Sequence, residues 1–407
     1  MKRRDFVKMM AVGTAATAGL GMGVTSAFAA KKKPAAPAIK KLKLSKQKEW
    51  AIEEYKGMAN FILPSMSPDF KTLDEEAVRA DVQNSIRHGM LASVLYPVGF
   101  HKPVETEQHI QTIKIICDEA RGKKLFPGTC IGAQTEAEDM AMLAGVENIG
   151  CSHLLVHLDR SGICKTEEEL YEKYKKRIEA TSIPVFLFAM VAPWYKKFGP
   201  SGIPIRVFDK LADLPNVVGV KFSQPMNLAT AFQCCEAFSD RLSVGVVNLD
   251  FAPMLSKFYN VQWSGQWQVE AVQSPEKPYC VEMMRLLNAR KYTEAMKVYN
   301  QFSPALDYFF DLQAPTILKH VSPWPHRKYF QWCTGGNGGL IYIDNPRYRH
   351  QYVPILDAAA REKVKETYRS IGIEPYNGPE EEFMVGKAAY KRGVRAKDLA
   401  HTQYYKA

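Results

Sequence analysis

The chain has 407 residues, with 54 Lys and Arg against 43 Asp and Glu, which gives a net charge of +11. The excess is confined to residues 1–48, which hold twelve basic residues and one acid, so the rest carries 42 of each sign. A charge excess confined to one end excludes a nucleic-acid-binding surface on the folded body. The eight cysteines show no C-x-x-C pair and no Cys/His spacing of a metal site, so we expect no metal.

The first 29 residues have the layout of an export signal. Arg3 and Arg4 precede an uncharged, Gly- and Ala-rich run (9–26) and an Ala-Phe-Ala cleavage pattern (27–29). The segment resembles a twin-arginine signal peptide, which is read by the twin-arginine translocation machinery of bacteria. It predicts a periplasmic protein that begins near residue 30, with a basic flexible tether (30–50) that touches anionic lipid. The alternative is a membrane anchor, but the run is too weakly apolar for a good span.

Short apolar runs then alternate with amphipathic stretches, beginning at Gly57. The predicted strands are 57–63, 92–97, 125–131, 152–158, 183–190, 216–222, 242–248 and 261–267. The predicted helices start near 74 and then cover 105–120, 136–144, 166–180, 205–212, 227–238, 252–258 and 275–289. This rhythm favours an α/β fold, a (β/α)8 TIM barrel over residues 51–290. An open doubly wound sheet is the alternative, but no glycine fingerprint follows the first strand.

Two further helices are predicted beyond the barrel, at 292–310 and 356–371. They define a C-terminal helical region (291–375). The last segment (376–407) is rich in charge and is predicted to be a tail that wraps the body or contacts a partner.

Lys221 follows the valine run of the sixth predicted strand, in the stretch NVVGVKFS (216–223). Active sites of such barrels lie at the carboxyl ends of the strands, so this amine should point into the barrel mouth. Burial lowers the pKa of a lysine, and a neutral amine is a nucleophile that forms a Schiff base with a carbonyl. The alternative is a lysine that only balances a carboxylate or reaches solvent.

Other strand ends supply the remaining candidates. Tyr96 and Phe188 would form apolar walls of the mouth, and Gly265 would leave room beside the substrate. His157 and Arg160 follow the fourth strand and would provide a base and an anion clamp.

The stretch LPNVVGVKFS (214–223) resembles the strand-six signature of the dihydrodipicolinate synthase/N-acetylneuraminate lyase family of class I aldolases. Similar pieces are found at 63–78, 170–188 and 335–348. The resemblance implies that Lys221 forms the Schiff base with pyruvate or another 2-oxo acid. It also implies a reaction without a cofactor and a homo-oligomer, either a dimer or a tetramer.

The chain departs from this family at two places. The family's Gly-Thr-Thr-Gly-Glu motif, which holds the carboxylate of the oxo acid, corresponds to residues 96–100, where only Gly99 is retained. The family's proton-relaying tyrosine corresponds to Phe188, and Tyr195 in the following insertion is a possible substitute. Two functions therefore stay open: an exported lyase, and a periplasmic binding or accessory protein that has lost turnover.

Overall fold

Eight parallel strands close into a barrel, in which each strand pairs with its sequence neighbours and β1 pairs with β8. The computed structural model describes residues 44–96, 105–132, 135–158, 164–190, 193–223, 228–266, 268–317, 324–339 and 356–400. The strands are β1 (Gly57–Ile62), β2 (Ala92–Leu95), β3 (Phe126–Ile131), β4 (His153–Val156), β5 (Val185–Met190), β6 (Val217–Ser223), β7 (Ser243–Val246) and β8 (Val261–Gln266). The closing β1–β8 pair confirms the TIM barrel and excludes the open sheet.

Helices alternate with the strands as the amphipathic pattern predicts. After an N-terminal helix α1 (Lys46–Glu53), they are α2 (Glu75–Arg87), α3 (Glu105–Ala120), α4 (Glu136–Val146), α5 (Glu167–Glu179), α6 (Ile205–Leu211), α7 (Leu228–Phe238), α8 (Ala252–Phe258) and α9 (Tyr279–Asn288). The helices that follow the barrel are α10 (Tyr292–Ile317), α11 (Trp324–Cys333), α12 (Ala358–Ser370), α13 (Glu380–Val385) and α14 (Lys387–Lys391). No helix within the described residues is long and apolar enough to cross a membrane.

Side-chain caps set the starts of several of these helices. The carboxylate of Asp74 accepts the backbone N–H of Ala77 at 3.2 Å, which satisfies an N-terminal donor of α2. Thr135 and Glu138 form a reciprocal capping box at the start of α4. These polar residues stand directly before apolar periodic stretches, which is why the sequence predicted the helix starts well.

An aromatic cluster fills the barrel at the amino-terminal ends of the strands. Tyr55 is fully buried there, and its ring lies 4.6 Å from Phe186 and 5.2 Å from Trp263 between centroids. Its hydroxyl shares a hydrogen bond of 3.0 Å with Nε2 of His153. A Cβ at Gly245 would overlap the Trp263 ring, so only glycine fits beside it. Packing therefore closes the barrel at the amino-terminal ends of the strands, and a functional site is expected at their carboxyl-terminal ends.

The N-terminal tether is shorter than predicted, because residues 46–53 form α1. Ser45 caps this helix, and the ammonium of Lys48 is buried and donates to the carbonyl of Ala212 at 2.6 Å. The basic composition of this stretch concealed a helix whose lysine is paired with backbone rather than with solvent.

The described part of the segment predicted as a charged tail (376–400) contains α13 and α14 and packs on the body. Glu380 pairs with Arg361 at 2.7 Å and Lys365 at 3.1 Å, and Phe383 packs against Tyr329 with 4.8 Å between ring centroids. Charge in this segment therefore forms ion pairs with α12.

Candidate active site

Lys221 lies in the carboxyl-terminal half of β6, between Phe188 of β5 and Gly245 of β7 in the strand register. Its side chain is only 1% exposed. The ammonium nitrogen Nζ lies 3.7 Å from the centroid of the Phe188 ring and 4.8 Å from that of Phe61. The amine is therefore held between two aromatic rings inside the barrel.

This environment changes the protonation of Lys221. Burial lowers the pKa of the amine from 10.5 to about 7; the Cys130 thiol opposes this, and the charge of Arg327 adds to it. Aromatic faces attract a cation, but they cannot replace the hydration that the ammonium loses. A substantial fraction of the side chain is therefore the neutral, nucleophilic amine near pH 7.

A second buried charge, that of Arg327, also contacts the Phe61 ring. Arg327 of α11 is 2% exposed, and its guanidinium carbon lies 5.2 Å from the Phe61 centroid. Its Nη2 donates to the Phe61 carbonyl at 3.0 Å and to both carboxylate oxygens of Glu270 at 3.1 Å. Glu270 also accepts from Asn60 at 2.9 Å and from Gln331 at 3.3 Å. This network attaches α11 to β1 and to the turn after β8.

The next residue of α11 makes a second buried ion pair. Nζ of Lys328 donates to Asp81 at 3.0 Å and to the hydroxyl of Ser65 at 3.0 Å, and the lysine is 0% exposed. The other Asp81 oxygen accepts the backbone N–H of Asn337 at 2.7 Å. Because all of these groups are paired, we interpret the Lys328 cluster as structural.

Of the predicted residues, Phe188 contacts Lys221 directly, and His157 and Tyr96 pack on the two rings that hold the amine. His157 is 5% exposed, and its ring lies 5.2 Å from the Phe188 ring that contacts the amine. Tyr96 packs on the other aromatic wall, 5.1 Å from Phe61 between centroids. Phe188 itself has no hydroxyl, so the ring nearest to Lys221 cannot transfer a proton.

The structure separates Tyr195 from this group. Its hydroxyl lies 3.1 Å from that of Tyr174 on α5, and both rings belong to the core between barrel and helices. Phe61 and Phe188 belong to a separate core inside the barrel. The prediction of Tyr195 as the substitute proton donor is therefore not supported by its position, because packing turns its ring towards the helix layer.

Gly265 has a tertiary role that the sequence does not reveal. Its φ is +119°, and a Cβ there would overlap the carbonyl of Ala59 on β1. Glycine is required here to close β8 on β1, which accounts for the residue without a substrate. Gly99 and Arg160 lie outside the described residues.

Sequence reasoning missed Phe61, Glu270 and the whole of α11. The stretch HRKYFQWC (326–333) carries a visible signal, because it is aromatic on several sides of a helix and holds two cations. A helix that is apolar all round is buried, so its Arg and Lys must be paired with acids. Among the described residues, no group of three or more His, Cys, Asp or Glu is arranged to hold a metal ion.

Sequence relatives give independent information about this site. The chain is 28% identical over 273 residues to a 4-hydroxy-tetrahydrodipicolinate synthase of Chloroherpeton thalassium, which covers 66% of this chain and 85% of the relative. It is also 28% identical over 174 residues to the enzyme of the same name from Halorhodospira halophila, covering 42% of this chain and 55% of the relative. No family model matches the chain.

Solved structures with the same fold include a dihydrodipicolinate synthase from Acinetobacter baumannii in complex with pyruvate. The two share 18% identity and a TM-score of 0.57, over 78% of this chain and 99% of that one. An N-acetylneuraminate lyase from Fusobacterium nucleatum, also in complex with pyruvate, shares 13% identity and a TM-score of 0.58, over 78% and 97%. At these identities the structural likeness shows the barrel fold.

The named relatives and the shared barrel support the dihydrodipicolinate synthase/N-acetylneuraminate lyase family. The sequence relatives are all named 4-hydroxy-tetrahydrodipicolinate synthase, which is consistent with a lyase of this family. Lys221, the residue that the sequence resemblance singles out, is buried against the Phe188 ring.

Proposed function

We propose that the protein is an exported class I aldolase-type lyase, in which Lys221 forms a Schiff base with pyruvate or another 2-oxo acid. The observation that carries the proposal is the buried amine, held 3.7 Å from the Phe188 ring centroid with its pKa lowered to about 7. A lysine kept at this cost of desolvation needs a reason, and nucleophilic attack is the reaction that uses a neutral amine.

The proposed reaction begins when neutral Nζ attacks the C2 carbonyl of the oxo acid; one proton is then taken up from solvent and the carbonyl oxygen leaves as water. The resulting iminium carries one positive charge and withdraws electrons from C3. Loss of a proton from C3, or cleavage of its bond to C4, then gives an enamine and neutralises that charge. The Phe61 and Phe188 faces, which lie next to Nζ, favour the cationic iminium by cation–π attraction.

The direct test is reductive trapping of the wild-type protein. Borohydride is added in the presence of each of several 2-oxo acids, and digestion followed by mass spectrometry locates the added mass. We expect a stable secondary amine on the peptide that contains Lys221, with pyruvate or a close homologue. Absence of adducts with every oxo acid would contradict the lyase and favour a reversible binding protein, which the replacement of the family's tyrosine by Phe188 would explain.

We propose His157 as the base that takes the C3 proton, because its ring packs on Phe188, the ring that also contacts the amine. Replacing His157 by Gln is expected to slow the exchange of the pyruvate C3 protons with deuterated water on the order of 100-fold. Borohydride trapping should remain, because imine formation itself does not use that proton. The exchange is measured by NMR, and loss of trapping together with exchange would show that His157→Gln damages the pocket instead.

Export is a separate proposal that rests on the sequence of residues 1–29. Replacing Arg3 and Arg4 by Lys preserves the charge but removes the pair that the twin-arginine machinery reads. We expect this double variant to remain in the cytoplasm with its signal uncleaved. Cell fractionation and the mass of the mature N-terminus measure this result; normal export of the double variant would contradict the proposal. Lys2 and Lys8 replaced by Arg serve as the matched control, which should be exported normally.

A further inference from the structure

The guanidinium of Arg327 has donors that its protein partners do not use. Nη2 makes three hydrogen bonds, to the Phe61 carbonyl and to Glu270. Nε and Nη1 are buried, and neither has a hydrogen-bond partner among the described residues. Buried N–H groups of a charged side chain are costly to leave unpaired, so each such case requires an explanation. One testable explanation is that these N–H groups donate to a ligand when it binds.

The balance of buried charges around Lys221 is compatible with one bound anion. Arg327 is balanced by Glu270, and Lys328 is balanced by Asp81, so these two buried pairs are neutral together. Lys221 adds no charge when its amine is neutral. Once the iminium has formed by uptake of a proton, Lys221 carries one positive charge that no described residue balances, and a bound carboxylate would supply the matching negative charge.

Arg327 lies near Lys221, because both side chains contact one aromatic ring. The two side chains share the Phe61 ring, with Nζ of Lys221 at 4.8 Å and the guanidinium carbon at 5.2 Å from its centroid. The bond from Nη2 to the Phe61 carbonyl and the pair with Glu270 fix the guanidinium plane. A fixed guanidinium loses little side-chain entropy on binding, which favours carboxylate recognition.

We propose that the unpaired donors of Arg327, Nη1 first among them, bind the carboxylate of the 2-oxo acid that Lys221 attacks. This inference rests on the proposed function, and it gives the pocket an anion-binding residue where the family's threonine pair is replaced. It predicts that the carboxylate next to the ketone is needed for tight binding, so a neutral ketone or aldehyde should bind poorly.

The test compares pyruvate with pyruvamide, which has the same ketone but a neutral amide instead of the carboxylate. The half-saturating concentration for borohydride trapping is measured for both compounds with the wild type, Arg327→Lys and Gln331→Met. Arg327→Lys keeps a cation for Glu270 but loses Nη1. Gln331→Met is the matched control, because Gln331 donates to the same two acceptors one helical turn away and carries no charge.

We expect the wild type to prefer pyruvate over pyruvamide on the order of 10- to 100-fold, as one charge-assisted hydrogen bond provides. Arg327→Lys should lose most of this preference, and Gln331→Met should retain it. A wild type that traps both compounds equally well would overturn the inference but leave the Schiff-base function standing. This result is obtained with the wild type alone, so it does not depend on the folding of any variant. A preference that survives in a folded Arg327→Lys protein would overturn it as well.

A wild type that traps neither compound nor any other 2-oxo acid would refute the Schiff-base function and this inference with it. Thermal unfolding followed by circular dichroism shows whether Arg327→Lys is folded. If it is not, the wild-type comparison of pyruvate and pyruvamide decides alone.

Discussion

Replacing Lys221 by Met is expected to abolish borohydride trapping of 2-oxo acids and to lower any carbon–carbon lyase turnover on the order of 10,000-fold or more. Methionine is close to lysine in length and volume, so it keeps the packing contacts with Phe61 and Phe188 and opens no cavity. It has no nitrogen, so the iminium cannot form. The loss should therefore be chemical, with the barrel intact.

Lys48→Met is the matched control for this experiment. Lys48 is another buried lysine whose pKa is lowered by burial, but its amine donates to the Ala212 carbonyl near the amino-terminal ends of the strands. We expect this variant to be trapped like the wild type. Persistent trapping in Lys221→Met would show that a different amine is the nucleophile. If the wild type and Lys221→Met both bind pyruvate reversibly and neither gives a trapped product, the binding-protein alternative is favoured.

The Lys221→Met substitution should also stabilise the protein against unfolding at neutral pH. The pKa of Lys221 is about 7 in the folded protein and 10.5 when the side chain is in water. Between these values the unfolded chain binds one more proton than the folded chain, so the wild-type free energy of unfolding rises as the pH rises. Below pH 7 the amine is protonated in both states, and the full penalty is present without further slope.

Lys221→Met does not carry this penalty at any pH. The pH-dependent part of its advantage over the wild type is expected to be on the order of 4 kcal/mol at pH 7 and to vanish towards pH 10.5. Urea unfolding of the two proteins at a series of pH values measures the difference, in which the titration of cysteines and tyrosines cancels. A difference that stays constant with pH would show that the amine has an ordinary pKa and is hydrated.

The order of the elements could be predicted from the sequence alone, because each element depends on short-range patterns. Helix α3 begins at Glu105 and ends at Ala120, the bounds that its apolar spacing predicted. The valine run of β6 identifies a buried strand, and its lysine was found from the same eight residues. Burial of that lysine follows from its position in a barrel strand, so the residue that we propose as the nucleophile could be selected from the sequence.

What only the tertiary structure decided was which distant residues meet around Phe61, the ring beside this lysine. Arg327 and Glu270 lie far along the chain from Phe61, and a contact between them leaves no periodic signal in the sequence. Tyr195 follows β5 directly and is a natural candidate by sequence, yet packing against Tyr174 turns it into the helix layer. Local patterns specify strands and helices, whereas the partners of a buried charge depend on how the closed barrel and the later helices pack.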